Sequence, residues 1–110
     1  MIVIRSSWLP VGKTMDCMTL WPFLIVKKGR EQYITDRVLR HESIHARQQK
    51  ELLLVGFLIV YAVLWLVYLL RWLSFARAYR DHPMEQEAYT HEDDATYLSN
   101  RRWCAWTAFL

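Results

Sequence analysis

Two histidines four positions apart are the residues of this sequence best suited to do chemistry. They enclose the segment His41-Glu42-Ser43-Ile44-His45, which has the pattern H-E-x-x-H. On a helix, side chains four residues apart share a face, with Cβ atoms ~5–6 Å apart, so both imidazoles can bind one ion. Zinc accepts neutral imidazole nitrogens at ~2.0–2.1 Å. The spacing therefore predicts a Zn2+ site with His41 and His45 as ligands.

Glu42 lies next to the first histidine, too far round the helix to be a third ligand. From there it can hold a water beside the metal and accept its proton as the water attacks a carbonyl, which is the role of a general base. A catalytic zinc keeps three protein ligands and one open position, so a third ligand must come from elsewhere. Gln48 and Glu51 exclude the H-E-x-x-H-x-x-G-x-x-H pattern of metzincins.

A carboxylate for this third position is available on a later predicted helix. Glu85 and Glu87 lie two residues apart, so they point roughly 200° from each other and only one can face the metal. Acids in the first turn of a helix also complement its dipole, which is a purely structural explanation for both.

The segment Glu85-Gln86-Glu87-Ala88-Tyr89 resembles the E-x-x-A-D motif of gluzincins, zinc metallopeptidases with H-E-x-x-H on one helix and a ligand glutamate on a later one. The resemblance implies that Glu85, not Glu87, is the third ligand. Tyr89 replaces the aspartate that supports a ligand histidine in that family, so the orienting group is left open.

A wider resemblance covers roughly residues 35–90. The pattern H-E-x-I-H-x-x-Q-Q-x-E-L-L, followed after an apolar stretch by P-x-E-x-E-A-Y, is similar to that of short bacterial membrane proteins of the Bacteroidetes type. The resemblance implies a minimal gluzincin-like site at a membrane and no known substrate. As a zinc metallopeptidase of the bacterial cell (inner) membrane, the chain would act on a peptide or protein substrate.

The two histidines lie on a predicted helix, residues 36–55, which begins near Thr35. One face of this helix carries Ile34, Val38, His41, His45, Gln48 and Leu52, and the opposite face is mostly charged, with Arg37, Arg40, Ile44, Arg47 and Glu51. Two imidazoles and an amide thus occupy positions where aliphatic residues are expected. Buried polar groups of this kind need hydrogen-bond partners.

Leu52–Leu70 contains no charged residue and is long enough to cross a membrane. A straight crossing would put the histidines and Glu85 on opposite sides. We therefore expect a membrane-embedded helical hairpin that turns at Gly56, with a central helix over residues 57–80 returning Glu85 to the histidines. An aromatic stripe along that helix predicts a packing seam, and its other faces suit lipid. The stripe consists of Tyr61, Trp65, Tyr68, Trp72, Phe75 and Tyr79.

The flanking segments complete a single α+β, mainly α domain over residues 1–110. Residues 1–34 carry strands at Met1–Arg5 and within Thr19–Lys27, as a short β-hairpin or edge strands, and Pro22 makes the second either an edge strand or one that starts after it. Such an edge could pair with an extended peptide. A third helix is predicted over residues 84–100, and the tail, residues 101–110, is basic and then apolar, which suits a membrane interface.

Other features exclude or leave open several functions. The formal net charge is +3 and no basic cluster is interleaved with aromatics, so no nucleic-acid partner is expected. Two cysteines, Cys17 and Cys104, make no disulfide scaffold, although one bridge is possible. Gly12-Lys13-Thr14 fails as a P-loop because Ser7 stands where the first glycine belongs.

Two functions follow for the predicted site. The first is a peptidase in which Tyr89, His82 or His91 could stabilise the oxyanion. The second is a non-catalytic small membrane protein whose site binds a structural metal or none. A structural zinc site would fill its fourth position, so three ligands beside an unliganded Glu42 favour the enzyme.

Overall fold

The computed structural model describes residues 1–9 and 16–110 and measures 35 × 33 × 25 Å along its principal axes. The chain is α+β and mainly helical, with a small N-terminal sheet followed by helices, so the predicted fold class is confirmed. The segment Gly12-Lys13-Thr14 lies outside the described residues.

The sheet consists of β1 (Ile2–Ser6), β2 (Cys17–Leu20) and β3 (Phe23–Lys27). β3 is the central strand, parallel to β1 and antiparallel to β2, and it starts directly after Pro22, as one of the two sequence alternatives predicts. The pyrrolidine ring therefore lies in the hairpin loop, where no ladder hydrogen bond is lost. β1 and β2 are the edge strands.

Helix α1 (Asp36–Trp72) contains a sharp turn at Leu53, where φ is 57° and ψ is 154°. Its first half, residues 36–52, begins at Thr35, whose hydroxyl accepts a hydrogen bond from the amide of Val38. The predicted turn at Gly56 is wrong, because Gly56 is helical. Packing decides the position: Leu52 before the turn and Phe57 after it both join one apolar cluster.

The second half of α1, residues 54–72, ends at Trp72, so the prediction of one helix up to residue 79–80 is also wrong. Leu73 takes a left-handed conformation, with φ 51° and ψ 37°, and the chain reverses. Helix α2 (Phe75–Asp81) then begins after the cap residue Ser74. Phe75 stacks on Trp65 with ring centroids 5.7 Å apart. The aromatic stripe is therefore a seam between two helices.

Helix α3 (Pro83–His91) is shorter than the predicted third helix, and α4 (Tyr97–Asn100) is separated from it by a turn. The tail ends in a 3₁₀ helix (Ala105–Phe109). Trp106 of this segment packs on Phe57 and Met84, so this part of the tail belongs to the core instead of a membrane interface. A 3₁₀ helix (Glu31–Tyr33) precedes α1.

The outer face predicted for the first half of α1 is partly buried. Ile44 is fully buried, and only 1% of the Glu51 side chain is exposed because Arg101 of the tail covers it. The sequence pattern predicts one covered face, whereas both α3 and the tail pack against this helix.

The position of the turn can be tested by replacing Gly56 with alanine. In Gly56→Ala the new Cβ would meet only the Cβ of Leu52, at an ordinary 3.6 Å. Because glycine costs about 0.5–1 kcal/mol in a helix, we expect the free energy of unfolding to rise by about that amount. Leu53→Gly should also stabilise, because it relieves a positive φ. Denaturant unfolding in detergent, followed by circular dichroism, measures both; a destabilised Gly56→Ala protein would place the turn at Gly56.

Candidate metal centre

Three ligand atoms converge in the interior of the molecule. His45 Nε2 lies 3.2 Å from His41 Nε2 and 3.1 Å from Glu85 Oε1, and His41 Nε2 lies 3.4 Å from the same oxygen. All three residues are buried. The first helix half and the first turn of α3 thus bring together the three residues that the sequence nominates as metal ligands.

The size of this triangle fits a single metal ion. Two ligands at ~2.0–2.1 Å from a tetrahedral centre lie ~3.3–3.4 Å apart, close to the three observed separations. Within residues 1–9 and 16–110, no fourth ligand atom of a His, Cys, Asp or Glu residue joins the group. The group could therefore hold a metal ion with an open coordination position.

The start of α3 explains why Glu85 and not Glu87 faces the histidines. His82 caps the helix by accepting a hydrogen bond from the amide of Met84, and Pro83 occupies the first helical position. Glu85 then points to the two histidines, while Glu87 binds Gln48 and pairs with Arg101. The two acids face in different directions, as their spacing predicts.

Glu92 supports His41 from outside the triangle. Its Oε2 lies 2.8 Å from His41 Nδ1, and its Oε1 pairs with Arg37 at 2.9 Å. Since a carboxylate can only accept, the Nδ1–H of the imidazole donates and Nε2 keeps its lone pair for a metal. Glu92 therefore takes the place of the orienting aspartate that Tyr89 replaces in the gluzincin motif.

Gln48 supports His45 in the same way. The Gln48 Oε1 lies 2.9 Å from His45 Nδ1. The Gln48 amide nitrogen donates to Glu87 Oε1, at 2.9 Å, and to the carbonyl of Met84, at 3.0 Å. Both the oxygen and the nitrogen of the Gln48 amide thus have hydrogen-bond partners, as expected for a buried polar residue.

A buried ion cluster lies behind Gln48. Arg101 pairs with Glu51, at 2.8 Å, and with Glu87, and the three side chains are at most 1% exposed. Although burial raises the pKa of Glu87, hydrogen bonds from Arg101, Gln48 and Tyr97 lower it below its usual range. The C-terminal segment is in this way fastened to α1 and α3 next to the ligand set.

The electrostatics of the triangle favour positive charge. Burial would raise the pKa of Glu85, but His45 and His41 hold it well below its usual range. Burial would lower the pKa of His45, but Glu85 raises it.

The Tyr61 hydroxyl donates to the second oxygen of Glu85, at 2.9 Å. Tyr61 belongs to the aromatic stripe, so one end of that packing seam reaches the site.

Glu42 lies beside the triangle and outside it. Its Oε2 accepts a hydrogen bond from the hydroxyl of Thr19, at 2.9 Å, and the Cys17 thiol approaches Oε1 at 3.9 Å. Burial raises the pKa of Glu42. Through Thr19, strand β2 therefore positions the carboxylate that the sequence proposes as the base.

Cys17 and Cys104 are both free thiols, and burial raises the pKa of Cys17 to about 12.

A cavity of about 210 Å³ opens over these groups. Glu42, His45 and Glu85 contribute its polar wall, and the apolar wall is formed by Met18, Leu20, Phe57 and Leu58. The cavity thus lies between the edge strand β2 and the two halves of α1. A small molecule or an extended chain entering it would meet the candidate metal group directly.

The proposed oxyanion stabilisers occupy different places. His82 uses both ring nitrogens structurally, since Nε2 donates to the carbonyl of Tyr61 at 2.9 Å while Nδ1 accepts from Met84. His91 stacks on Tyr97, with ring centroids 3.7 Å apart. Tyr89 packs edge-on against His41, with ring centroids 4.6 Å apart.

Several residues around the site have contacts that the sequence does not predict. The Tyr79 hydroxyl lies 3.5 Å from that of Tyr89, and Tyr79 borders the cavity. Glu92 follows Glu85 by seven residues, about two helical turns, and that spacing is the signal that could have found it. Thr19 and Arg101 carry no such local signal, because each is separated from its site partner by many residues.

No family model matches this chain, and neither the curated proteins nor the solved structures contain a match to it.

The third ligand can be tested with two glutamine variants. We expect Glu85→Gln to weaken zinc binding by more than the ~10–100-fold that the loss of an outer partner costs, because a charged ligand is removed. Glu87→Gln is the matched control, since glutamine keeps an acceptor for Gln48 and Arg101 while Glu87→Ala would leave buried groups unpaired. Competition with a chelator measures the affinity; the reverse ranking would make Glu87 the ligand.

The support of His41 can be tested at Glu92. We expect Glu92→Leu to weaken zinc binding by about 10–100-fold, because the imidazole loses the acceptor that fixes its orientation. Asp93→Leu serves as the control: Asp93 also pairs with Arg37, but its side chain is 72% exposed and does not reach His41. Equal zinc affinities in the two variants would remove Glu92 from the site.

Proposed function

We propose that this chain is a membrane-associated, gluzincin-like zinc metallopeptidase that hydrolyses peptide bonds with an activated water. The observation that carries the proposal is the buried triangle of His41, His45 and Glu85, which is sized for one ion, with the carboxylate of Glu42 beside it. A base that is near the ligands without being one of them is what hydrolysis requires and what a purely structural site has no use for.

Zinc is the metal that two imidazoles, a carboxylate and an open position suit best. When bound, it would supply a Lewis acid that polarises a carbonyl and acidifies water. His41 and His45 would bind it through Nε2, since Glu92 and Gln48 take the Nδ1 side of each ring.

Glu42 performs the proton transfers in this mechanism. It accepts a proton from the attacking water and delivers it to the nitrogen of the departing amine. The hydroxyl of Thr19 donates to Oε2, while Oε1 has only a weak contact with the Cys17 thiol. Strand β2 thereby holds the carboxylate in one orientation through the reaction.

Two phenols can stabilise the negative charge that develops on the carbonyl oxygen. Burial raises the pKa of both Tyr79 and Tyr89, so both remain protonated donors at neutral pH. Of the three groups that the sequence nominates, Tyr89 is favoured, because both ring nitrogens of His82 are occupied and His91 stacks on Tyr97. Tyr79 is added as a candidate.

The substrate would be a peptide or protein segment in extended conformation. β2 is an edge strand along the cavity, and edge strands bind extended chains by main-chain pairing. The Gln49 amide already binds the carbonyl of Thr19 and the amide of Trp21 on this edge. A substrate pairing there would have to displace Gln49, and it would place an apolar side chain against Met18, Leu20 and Phe57.

The membrane association is supported by one helix, α1, which is long and apolar enough to cross a membrane by length and composition. Only 6% of its most apolar window is buried within the protein. We assign the chain to the bacterial inner membrane on the resemblance of its H-E-x-I-H segment to bacterial membrane proteins.

A non-catalytic metal site is the second candidate. One observation favours it: the three ligands join the short α3 to α1, and a metal there would fasten two helices of a small chain, as structural metals do in small domains. In that case Glu42 would have no chemical role, so its substitution distinguishes the two functions.

We expect Glu42→Gln to retain zinc and to lower the rate of hydrolysis by at least about 100-fold, because a general base contributes ~10²–10⁴-fold. Glutamine preserves the hydrogen bond with Thr19, so the fold should not change. The measurement uses the full chain in detergent with a pool of internally quenched fluorescent peptides that carry an apolar residue at each position in turn.

Glu87→Gln is the control for a change of buried charge near the ligands, and it should retain most of its activity. Undiminished hydrolysis by Glu42→Gln would remove Glu42 from the mechanism, and loss of zinc from that variant would make it a ligand. A zinc-loaded wild-type protein that cleaves no peptide of the pool would favour the structural role.

A further inference from the structure

The second half of α1 carries a continuous apolar stripe that no other part of the described chain covers. The six residues that define this stripe are between 51% and 69% exposed, namely Val55, Ile59, Val63, Leu66, Val67 and Leu70. At 100° per residue they fall within an arc of about 120°, one third of the helix circumference. No charged residue interrupts the chain between Glu51 and Arg71.

The opposite side of the same helix half faces the protein. Phe57 is 6% exposed, the Tyr61 hydroxyl binds Glu85, and Trp65 stacks on Phe75 of α2. The helix is therefore covered along one side and bare along the other. A helix inside a soluble core would be covered on both sides, and an isolated membrane span would be bare all round.

The dimensions of the molecule argue against a crossing. Residues 54–72 measure ~28 Å, nearly the full thickness of a bilayer core. A span of this length with the remaining domain in water would need a molecule much longer than the observed 35 Å. Moreover, Tyr61 near the middle of this helix half contacts both His82 and Glu85. A crossing would carry the candidate metal centre and the α2 arginines into the hydrocarbon, where charged groups are costly.

Cationic side chains lie at one end of the stripe. Arg71 and Arg77 both lie over the ring of Trp72, with guanidinium carbons 5.0 Å and 3.3 Å from its centroid, and Arg80 is exposed on the next turn of α2. Tryptophan favours the membrane–water interface, and arginines there attract anionic lipid headgroups. The charges therefore complement an anionic membrane surface.

We propose that the apolar stripe lies flat in one leaflet of an anionic bilayer, with Arg71, Arg77 and Arg80 at its headgroups, and that the chain does not cross the membrane. Lipid acyl chains would thus cover the stripe. Both ends of the apolar segment and the candidate metal centre then lie on the same side of the membrane. This mode of attachment is independent of whether the centre hydrolyses peptides.

Depth measurements test the orientation. A fluorescent label is attached in turn to Val55→Cys, Val63→Cys and Leu70→Cys in full-length protein with Cys104→Ser, while Cys17 stays buried. Lipids that carry quenchers at known depths, in vesicles of phosphatidylcholine and phosphatidylglycerol, report the position of each label. A helix lying flat gives three similar, shallow depths. A deep label at Val63 with shallow labels at Val55 and Leu70 would show a crossing and overturn the proposal.

Vesicle flotation tests whether the apolar stripe binds lipid. In the double variant Val63→Glu/Leu66→Glu we expect the fraction of protein bound to vesicles to fall by about tenfold or more, because two carboxylates enter the lipid contact. Leu39→Glu, at an apolar residue exposed to 38% on the first half of α1, should bind like the wild type. Circular dichroism and zinc content, which should not change in either variant, report folding independently of lipid.

Because the arginines attract anionic headgroups, we expect the wild type to bind vesicles less well when phosphatidylglycerol is omitted. The double variant Arg71→Gln/Arg80→Gln should lose most of this dependence on phosphatidylglycerol. Equal vesicle binding by the wild type and the stripe variant would overturn the proposal. So would a soluble dimer that the stripe variant dissociates, because the stripe would then bind a second copy of the chain. Neither result bears on peptide hydrolysis, which the Glu42→Gln variant tests separately.

Discussion

The meeting of one buried carboxylate with two buried imidazoles is the constraint on which the structure depends. Glu85 is brought to His41 and His45 from the far side of an apolar helix, so the chain must reverse twice between them, at Leu53 and after Trp72. Buried charges are tolerated only when they are paired and hydrogen-bonded. Each of the three groups accordingly has a further partner, which is Glu92 for His41, Gln48 for His45 and Tyr61 for Glu85.

The tail contributes to the site without touching it. Arg101 neutralises Glu51 and Glu87, and Glu87 in turn fixes the amide of Gln48 that faces His45. Removing one partner from a buried network of this kind leaves an unpaired charge, which costs far more than the pair itself contributes. The last ten residues are therefore tied to the geometry of a ligand more than fifty positions earlier in the chain.

The cavity and the bare side of the apolar helix share a wall. Leu58 lines the cavity and is 46% exposed, next to the apolar stripe, while Phe57 beside it packs into the core. Strand β2 closes the opposite wall and holds Glu42 through Thr19. The small sheet and the apolar helix thus enclose the cavity from two sides.

The sequence by itself indicated the α+β class, the candidate triad and the need for a reversal within the apolar segment. The helical period of 3.6 that puts His41 and His45 on one face is a local property, whereas Glu85 was selected by its resemblance to the gluzincin motif. The position of the turn was decided by tertiary packing, since the burial of Leu52 and Phe57 outweighs the preference of Gly56. The helical spacing of Glu92 from Glu85 indicates its place near the site, whereas Arg101 could not be assigned from the sequence, because its partnership with Glu51 joins residues fifty positions apart. Only the folded chain sets such long-range pairs, and they in turn set the orientation of the ligands that the local pattern names.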